Sequence, residues 1–338
     1  MTCTAMGVNL RNYLIKRLNT RPQQELAKSK LAFKELLNKH GILTPRTYGV
    51  IKHITDLEGI EQIPVDFVVK PDKGHGGNGI LLLRRENDYW LTPGNHVYRL
   101  RDLKRHIEMI LDGQFSDAAE NDLCLIEERI YPSQALTFDK LVGLPDIRIV
   151  CHNHKAVAAM IRYPTMRSGG KANLSVGALG IGLDLATGTV RGLYEKENHV
   201  FHPLIAYHIP KGYTLPYWSA IVATAERASA LSGLGFSGVD MILDAQDRIL
   251  ILEINGYPGL EIQNVNRASL RSALEKPPAT PPATPPATPP PPDFPPATRL
   301  AAPPRQPMRQ PMVYRPIQSS QEQQRLAQQQ GRITGYER

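Results

Sequence analysis

The chain has 338 residues, a length that suits two domains or one large domain with a tail. Its hydrophobic content of 41% is typical of a globular protein, and no apolar run is long enough to span a bilayer. The net charge of +8 does not indicate nucleic-acid binding, because residues 276–338 contribute eight basic and three acidic side chains and the remainder has interspersed charges. Three widely spaced cysteines predict no disulfide framework, and residues 1–18 lack the apolar core of a signal peptide. We therefore expect a cytoplasmic protein.

Hydrophobic periodicity and turn residues predict helices and strands along residues 24–255. A helix over 24–40 contains Lys30 and ends near Gly41. Downstream we expect an extended stretch at 48–51, a strand at 67–70 stopped by Pro71, a glycine-rich turn at 72–79 and a returning strand at 80–83. A helix at 99–112 and a strand at 123–130 follow. The remaining predicted elements are a hairpin of 146–151 with 155–162 about a turn at 152–154, a loop at 164–180, a helix at 217–232 and a hairpin over 239–255.

The composition changes completely at residue 277. Three Pro-Pro-Ala-Thr units at 277–288 precede a run of prolines and a segment rich in Gln and Arg. Such a segment cannot bury a core and favours extended, partly polyproline-II conformations. We predict a disordered tail at 276–338.

The hairpin over 239–255 places three oxygen ligands together. When its two β-branched-rich runs are paired about the polar turn, Asp240 falls opposite Ile251. Because side chains alternate between faces, Asp240, Glu253 and Asn255 then share one face. Two carboxylates and an amide suit Mg²⁺, which usually shares its shell with nucleotide phosphates. The alternatives are an exposed face of ordinary polar residues, or a register shifted by one residue that moves Asp240 to the other side.

The glycine-rich turn between two strands is a candidate phosphate site. The first strand ends in Lys70, and the turn contains Gly74, His75, Gly76, Gly77, Asn78 and Gly79. Glycines let backbone N–H groups surround anionic oxygens, and a lysine adds a point charge. The turn is not a P-loop, because no Lys-Ser/Thr pair and no helix follow it. A flexible turn is the alternative, but a phosphate site and an acidic hairpin in one chain support each other, since ATP and Mg²⁺ bind together.

A second ligand set is suggested by Cys151, His152 and His154 at the first hairpin. These residue types bind zinc, but the cluster has no second half. A polar turn is the preferred interpretation.

The motifs occur in a fixed order: Lys30 in a helix, Val-Val-Lys70-Pro, Gly-His-Gly-Gly-Asn-Gly, Leu-Ile-Glu-Glu-Arg-Ile, Asp-Ile-Arg148, Met-Ile-Arg162, Lys-Ala-Asn173, Gly-Val-Asp240 and Leu-Glu253-Ile-Asn255-Gly-Tyr-Pro258-Gly259. Over residues 7–265 this order resembles the ATP-grasp superfamily, in the α-L-glutamate ligase-related group of ribosomal-protein glutamate ligase-like and sugar-transfer-associated ATP-grasp proteins. The resemblance implies an α+β ATP-grasp fold, in which two α/β lobes grip ATP between antiparallel sheets. The implied parts are an N-terminal helical segment at 1–50, a small lobe at 51–130, a large lobe at 131–275 and the Pro-rich tail.

The resemblance also implies a nucleotide site. Lys30 and Lys70 would contact the ATP phosphates beneath the loop at 74–79. The adenine and ribose would be read by Glu127, Glu128 and the backbone through Ile130, with a salt-bridged strand end as the alternative role for the glutamates.

By the same resemblance, Lys171 and Asn173 occupy the place of an Arg-x-Asn that touches nucleotide and substrate. Lysine in place of arginine is a departure that weakens a bidentate contact.

The remaining implied residues belong to metal, catalysis and substrate. Arg148 and Arg162 would meet the γ-phosphate and the acyl-phosphate, with surface salt bridges as the competing role. A three-residue turn at 152–154 would put both arginines on one face, whereas a two-residue turn would not. The metal ligands for Mg²⁺, or Mn²⁺ in its place, would be Asp240, Glu253 and Asn255, and the substrate wall would include Pro258 and Gly259.

The implied activity is ATP- and Mg²⁺-dependent carboxylate–amine ligation through an acyl-phosphate, with ADP and phosphate as products. The donor would be an amino acid such as glutamate or another carboxylate, and the acceptor a peptide or protein amine. Fewer than 30 residues precede Lys30, too few for the domain that precedes the ATP-binding lobes in the ribosomal-protein glutamate ligase and helps to enclose substrate. We therefore expect a homodimer or a protein partner to supply the acceptor site. The alternatives are an ATP-grasp enzyme acting on a cell-surface sugar or other precursor, and a nucleotide-binding protein whose tail recruits a Pro-binding partner.

Overall fold

Two antiparallel sheets organise the part of the chain that the structure, a computed structural model, describes: residues 5–57, 60, 63, 65–116, 121–139 and 141–275. Within these residues the first sheet has six strands: β1 Thr47–Ile51, β2 Phe67–Pro71, β3 Leu81–Glu86, β4 Tyr89–Leu91, β5 Val97–Tyr98 and β6 Cys124–Glu128. The second sheet has seven: β7 Asp146–His152, β8 Lys155–Tyr163, β9 Leu179–Leu183, β10 Val190–Glu195, β11 Val200–His202, β12 Phe236–Leu243 and β13 Ile249–Asn255.

The helices surround these sheets. They are α1 Val8–Leu18, α2 Arg21–Lys28, α3 Lys30–Lys39, α4 Leu100–Leu111, α5 Trp218–Ser232, α6 Glu261–Asn266 and α7 Leu270–Glu275.

The first sheet runs in the order β1-β6-β2-β3-β4-β5. On one face, the apolar stripe of α4 (Leu103, Ile107 and Ile110) packs against Phe67 and Val69 of β2. Because side chains alternate along a strand, Lys70 and Glu127 belong to the opposite face. One face therefore forms a core, and the other is left for polar groups.

The second sheet runs in the order β11-β10-β9-β8-β7-β12-β13. One of its faces contributes Ile149 and Met241 to a core shared with Phe33 of α3. The other face packs Val150 and Met160 under α1, α6 and α7. This second face also carries the even-numbered polar residues of β7, β8 and β12, so the helices cover it only in part.

The predicted helix at 24–40 is wrong in one respect, because it is interrupted. Helix α2 ends at Lys28, and Ser29 is extended (φ −90°, ψ 109°). The Ser29 hydroxyl accepts a hydrogen bond from the Ala32 N–H at 3.1 Å and caps α3. Lys30 is consequently the first residue of a helix, not an interior one.

The predicted three-residue turn at 152–154 is also wrong. Asn153 and His154 form a two-residue turn with φ of 46° and 63°, and His152 pairs with Lys155. One strand position is irregular: Val150 pairs with Ala158 and Cys151 with Ala156, which leaves one extra residue in β8. This bulge restores the alternation that the shorter turn would have reversed.

The register predicted for the 239–255 hairpin is wrong for the same kind of reason. Residues 244–248 form the turn, since the Asp244 carboxylate accepts hydrogen bonds from the N–H groups of Gln246 and Arg248 at 3.0 and 2.8 Å. Met241, not Asp240, lies opposite Ile251, and Asp240 pairs with Glu253 across a second bulge. The predicted shared face survives despite the changed register.

No helix among the described residues is long and apolar enough to cross a membrane. The strands of the first sheet lie within 47–128 and those of the second within 146–255. The predicted boundaries at 50, 130 and 275 stay predictions, and the predicted disordered tail at 276–338 lies outside the described residues.

Candidate active site

A buried cluster of two arginines and two aspartates lies on the partly covered face of the second sheet. Arg148 donates two hydrogen bonds to the Asp240 carboxylate, one of them at 2.5 Å to Oδ2. Arg162 donates to Asp240 Oδ2 at 2.7 Å and to both oxygens of Asp146 at 2.6 and 2.5 Å. Both predicted catalytic arginines therefore point to one place.

Burial dominates the electrostatics of this cluster. Asp240 is only 1% exposed, and burial alone would raise its pKa, but the Arg148 and Arg162 guanidinium groups hold the pKa below its usual value. For Asp146, burial raises the pKa to about 6 against the opposing effect of Arg162. The two carboxyl groups thus differ in acidity although they share a guanidinium.

Gly238 provides the space that Arg148 occupies. A Cβ atom at this position would lie 3.3 Å from Arg148 Cδ and 3.0 Å from Pro258 Cβ. Both distances are shorter than ordinary van der Waals contact. The glycine leaves space for the Arg148 side chain, which bonds to its cross-strand partner Asp240, and lets Pro258 approach the edge of the cluster. Gly259 has open space beside it.

The other two predicted metal ligands lie on β13, next to the cluster. Glu253 is paired with Asp240 across the ladder and Asn255 with Gly238. The Asn255 Oδ1 accepts a hydrogen bond from the Tyr257 N–H at 2.7 Å. The set consists only of oxygen donors, which fits Mg²⁺. No three His, Cys, Asp or Glu side chains of the described residues gather closely enough to hold a metal by themselves, so Cys151, His152 and His154 do not form such a group.

Lys30 connects the cluster to the glycine-rich loop. Its Nζ donates to the Asp72 carbonyl at 3.0 Å and to the Gly74 carbonyl. Burial lowers its pKa, while the negative charge of Glu253 acts in the opposite direction. The lysine is therefore bonded to the start of the loop and lies within electrostatic range of Glu253.

The glycine-rich loop has a residue with positive φ where it meets the loop between β8 and β9. Gly77 has φ of 78°, and a Cβ there would lie 3.5 Å from Lys171 Cδ. Lys171 Nζ also donates to Asn78 Oδ1 at 3.3 Å. Of the predicted loop residues, Gly77 and Asn78 thus lie beside Lys171, whereas Gly74 and Gly79 pack against Phe115. The Asn173 side chain forms a local hydrogen bond, in which its Oδ1 accepts from the Ser175 N–H at 2.9 Å.

A cavity of about 380 Å³ adjoins this loop. His106 Nε2 donates to the Gly79 carbonyl at 2.9 Å, and Phe115 packs beneath Gly79. His75 and Lys171 also line the cavity. The loop is therefore supported by His106 and Phe115 at Gly79 and contacted by Lys171 at Gly77 and Asn78.

The two glutamates predicted to read adenine and ribose have different surroundings. Glu127 is buried, and its carboxylate receives Lys34 Nζ at 2.6 Å and Lys70 Nζ at 2.7 Å. Glu128 accepts a hydrogen bond from Arg248 Nη2 at 3.0 Å and one from the Arg46 N–H at 3.2 Å. Both carboxylates are therefore bonded within the protein, and Ile130 follows as a buried apolar residue.

Three residues of this region were assigned no role from the sequence: Lys34, and the motif residues Asp146 and Gly238. Lys34 lies one helical turn after Lys30, a spacing that places both on one face of a helix. Asp146 lies two residues before Arg148, on the same face of a strand. These spacings were the available signals, whereas the need for glycine at 238 depends on an arginine 90 positions away in the sequence.

The sequence profile of a family described as sugar-transfer associated ATP-grasp matches residues 9–277. No curated protein matches the chain. Among solved structures it is similar to the ATP-grasp ligase PsnB in complex with a minimal precursor, at 12% identity over 76% of this chain and 60% of PsnB, with a TM-score of 0.40. The chain thus spans about 60% of the length of that protein.

Two further structures show similar levels of likeness. D-alanine–D-alanine ligase from Bacillus anthracis has 13% identity over 75% of this chain and 66% of its own, with a TM-score of 0.42. Biotin carboxylase from Campylobacter jejuni has 12% identity over 72% of this chain and 43% of its own, with a TM-score of 0.46.

Proposed function

The chain belongs to the sugar-transfer-associated ATP-grasp family, and from this premise we propose that it is an ATP- and Mg²⁺-dependent carboxylate–amine ligase. Family membership confirms the predicted α+β ATP-grasp fold, with its two antiparallel sheets. The nearer relationship to glutamate ligases stays a prediction, and so does glutamate as the donor.

One observation carries the proposal: cations and oxygen ligands gather at one partly buried site. Asp240 and Glu253 stand side by side, with Arg148 and Arg162 bonded to Asp240. The negative charge of Glu253 acts to raise the pKa of Lys30, against the larger effect of burial. An arrangement of carboxylates, guanidinium groups and an ammonium suits charge neutralisation in phosphoryl transfer, which needs alignment and not a protein nucleophile.

In the proposed complex Asp240, Glu253 and Asn255 hold Mg²⁺, or Mn²⁺ in its place, which neutralises phosphate charge when bound. Lys30, Lys70 and the N–H groups of the loop at 74–79 bind the phosphates of ATP. Adenine and ribose are proposed to contact Glu128, Ile130 and the backbone of Glu127, because the Glu127 carboxylate is bonded to Lys34 and Lys70. The other proposed contacts are nucleotide and substrate at Lys171 and Asn173, and a substrate wall at Pro258 and Gly259.

The proposed reaction has two balanced steps. A carboxylate oxygen of the donor attacks the γ-phosphorus of ATP, which forms an acyl-phosphate and releases ADP. An amine then attacks the acyl carbon, loses a proton, and expels inorganic phosphate as the amide bond forms. Arg148 and Arg162 stabilise the negative charge that develops on the transferred phosphoryl group. We further propose that the protein acts in the cytoplasm, and that a second copy or another protein completes the acceptor site.

The test is nucleotide product formation from Mg-ATP with single carboxylates, including glutamate, each alone and with amine or peptide acceptors. We expect ADP and phosphate only when a suitable carboxylate is present. Release of AMP would contradict the acyl-phosphate route.

Asp240→Asn and Glu253→Gln test the metal and cation site directly. Each should lower ADP formation by about 100-fold or more, because charge stabilisation in the site is lost. Asp88→Asn is the matched control, since Asp88 is exposed in the turn between β3 and β4. Equal turnover in Asp240→Asn and the control would refute the assignment.

The family description favours one alternative, an enzyme acting on a sugar precursor. Amino sugars and sugar acids belong in the substrate panel for this reason. Phosphoryl transfer to a sugar would release ADP without any amine and leave a phosphorylated product, which mass spectrometry distinguishes from an amide.

A further inference from the structure

Glu127 is shared by two lysines in the buried interior of the protein. Lys34 Nζ lies 2.6 Å from Oε1 and Lys70 Nζ lies 2.7 Å from Oε2, so each carboxylate oxygen has its own ammonium. The side chains of Lys34 and Glu127 are both 3% exposed, whereas that of Lys70 is 10% exposed. The two lysines are therefore not equivalent, because Lys70 lies closer to solvent.

The fold explains why Lys34 is fixed. Its neighbours Phe33 and Leu37 anchor α3 in the core shared with the second sheet. Lys34 Nζ also donates to the hydroxyl of Thr47 at 2.9 Å, on the strand next to Glu127. With one bond to a hydroxyl and one to a carboxylate, this ammonium is held between α3 and the first sheet.

Charge balance in this group is unusual. Burial alone would raise the pKa of Glu127, but the Lys70 and Lys34 ammonium groups more than offset it, and the pKa lies below its usual value. Burial lowers the pKa of Lys34 to about 8, and the nearby charge of Lys70 acts in the same direction. Two cations thus compete for one anion, and the second cation is in excess.

We infer that Lys34 is a positioning residue that keeps Glu127 neutralised. The Lys70 side chain can then turn away from this carboxylate and bind a nucleotide phosphate. The inference rests on the proposed function, because it takes Lys70 to be a phosphate ligand. Lys34 itself touches no nucleotide.

The physical reason lies in the cost of a buried charge without a partner. If Lys70 left Glu127 alone in the interior, the carboxylate would lose its compensation, which is strongly unfavourable. With Lys34 in place, Glu127 retains one bonded cation after Lys70 turns away. Without Lys34, Lys70 would be held as the sole counter-ion and would bind phosphate poorly.

The test measures binding of Mg-ADP by calorimetry to the full chain, with Lys34→Met, Glu127→Gln and the double variant. Lys39→Met is the matched control, because Lys39 is exposed on the same helix. We expect Lys34→Met to weaken Mg-ADP binding by about 10-fold, which corresponds to one charged hydrogen bond. Adding Glu127→Gln should restore the affinity to within about 3-fold of the wild type, since Lys70 is then free and the substitution keeps the backbone that faces the nucleotide.

Rescue separates this role from a structural one. If Lys34 only supported the fold, removal of a second buried partner would lower the denaturation midpoint further and would not restore binding. Two outcomes would overturn the inference and leave the proposed function standing, provided that the wild type binds Mg-ADP. In the first, Lys34→Met binds Mg-ADP as tightly as the wild type. In the second, adding Glu127→Gln does not restore the binding that Lys34→Met has lost. Failure of the wild type to bind Mg-ADP would overturn the proposed function, and the inference with it.

Discussion

Asp240 lies directly opposite Glu253 in the β12–β13 ladder, because a bulge on β13 compensates for a longer turn. Two carboxylates so placed would repel each other without nearby cations. Arg148 provides a cation from β7, which is paired with β12, and Arg162 provides one from β8, the next strand in the sheet. A bulge in β8 keeps Arg162 on the same face as Arg148. The acidic and basic halves of the site therefore depend on two irregular strand positions.

The first prediction concerns the glycine that admits Arg148. Gly238→Ala places a methyl group 3.3 Å from Arg148 Cδ and 3.0 Å from Pro258 Cβ. Either the arginine or the Pro258 segment must move, so we expect a loss of about 1–2 kcal/mol in the free energy of unfolding. ADP formation from Mg-ATP should fall by about 10-fold or more as Arg148 leaves Asp240.

Gly7→Ala is the control for this variant. Gly7 has φ of −80° and open space around its Cβ position. The crowding explanation predicts a clear difference between the two variants in both denaturation and turnover. Equal values for Gly238→Ala and Gly7→Ala would refute it.

The elements of this fold were largely predictable, because periodicity and turn residues are local signals. The strands around Lys70 and the helix at 217–232 show this. The bulges in β8 and β13 were not, since an extra residue in a strand is visible only against its ladder partner. The grouping of Asp240, Glu253 and Asn255 was nonetheless predicted from an incorrect register. The longer turn and the bulge each shift the register by one residue, and a total shift of two keeps the same face.

Contacts across long sequence separations set the limit for the site. Lys34 and Glu127 are 93 residues apart, and no local pattern near either one indicates the other. The predicted role of Glu127 came from a motif, and the cation beside it came only from the fold. By sequence alone, Lys34 does not differ from any other polar position of an amphipathic helix.

The second prediction concerns the attachment of the N-terminal segment to β12. Asn19 is buried, and its amide donates to the carbonyls of Phe236 and Gly256 at 2.8 and 3.2 Å and accepts from the Phe236 N–H at 3.0 Å. Asn19→Ala leaves these backbone groups without their partners, so we expect a loss of about 2–3 kcal/mol in the free energy of unfolding.

Urea denaturation measures this loss, with Asn9→Ala as the control on the exposed side of α1. The control should change stability by less than about 0.5 kcal/mol. If both variants unfolded at the same urea concentration, Asn19 would not hold the segment in place.

The third prediction follows from the pKa of Lys34, which burial lowers from 10.5 to about 8. Between those pH values the native state has released a proton that the unfolded chain keeps. The unfavourable contribution of this group to stability is therefore largest below about pH 8 and is relieved as the pH rises to about 10.5. Neutral Lys34 no longer compensates Glu127, so Lys70 should be held more tightly in the same pH range.

Mg-ADP affinity of the wild type should consequently fall as the pH rises through about 8. Lys30, whose pKa is also lowered by burial, titrates in both the wild type and Lys34→Met, and its effect cancels in their comparison. We expect the two affinities to differ by about 10-fold near pH 7 and to converge near pH 9.5, where Lys34 is neutral in the wild type. A ratio of affinities that stays constant across this range would show that the charge of Lys34 does not control Lys70.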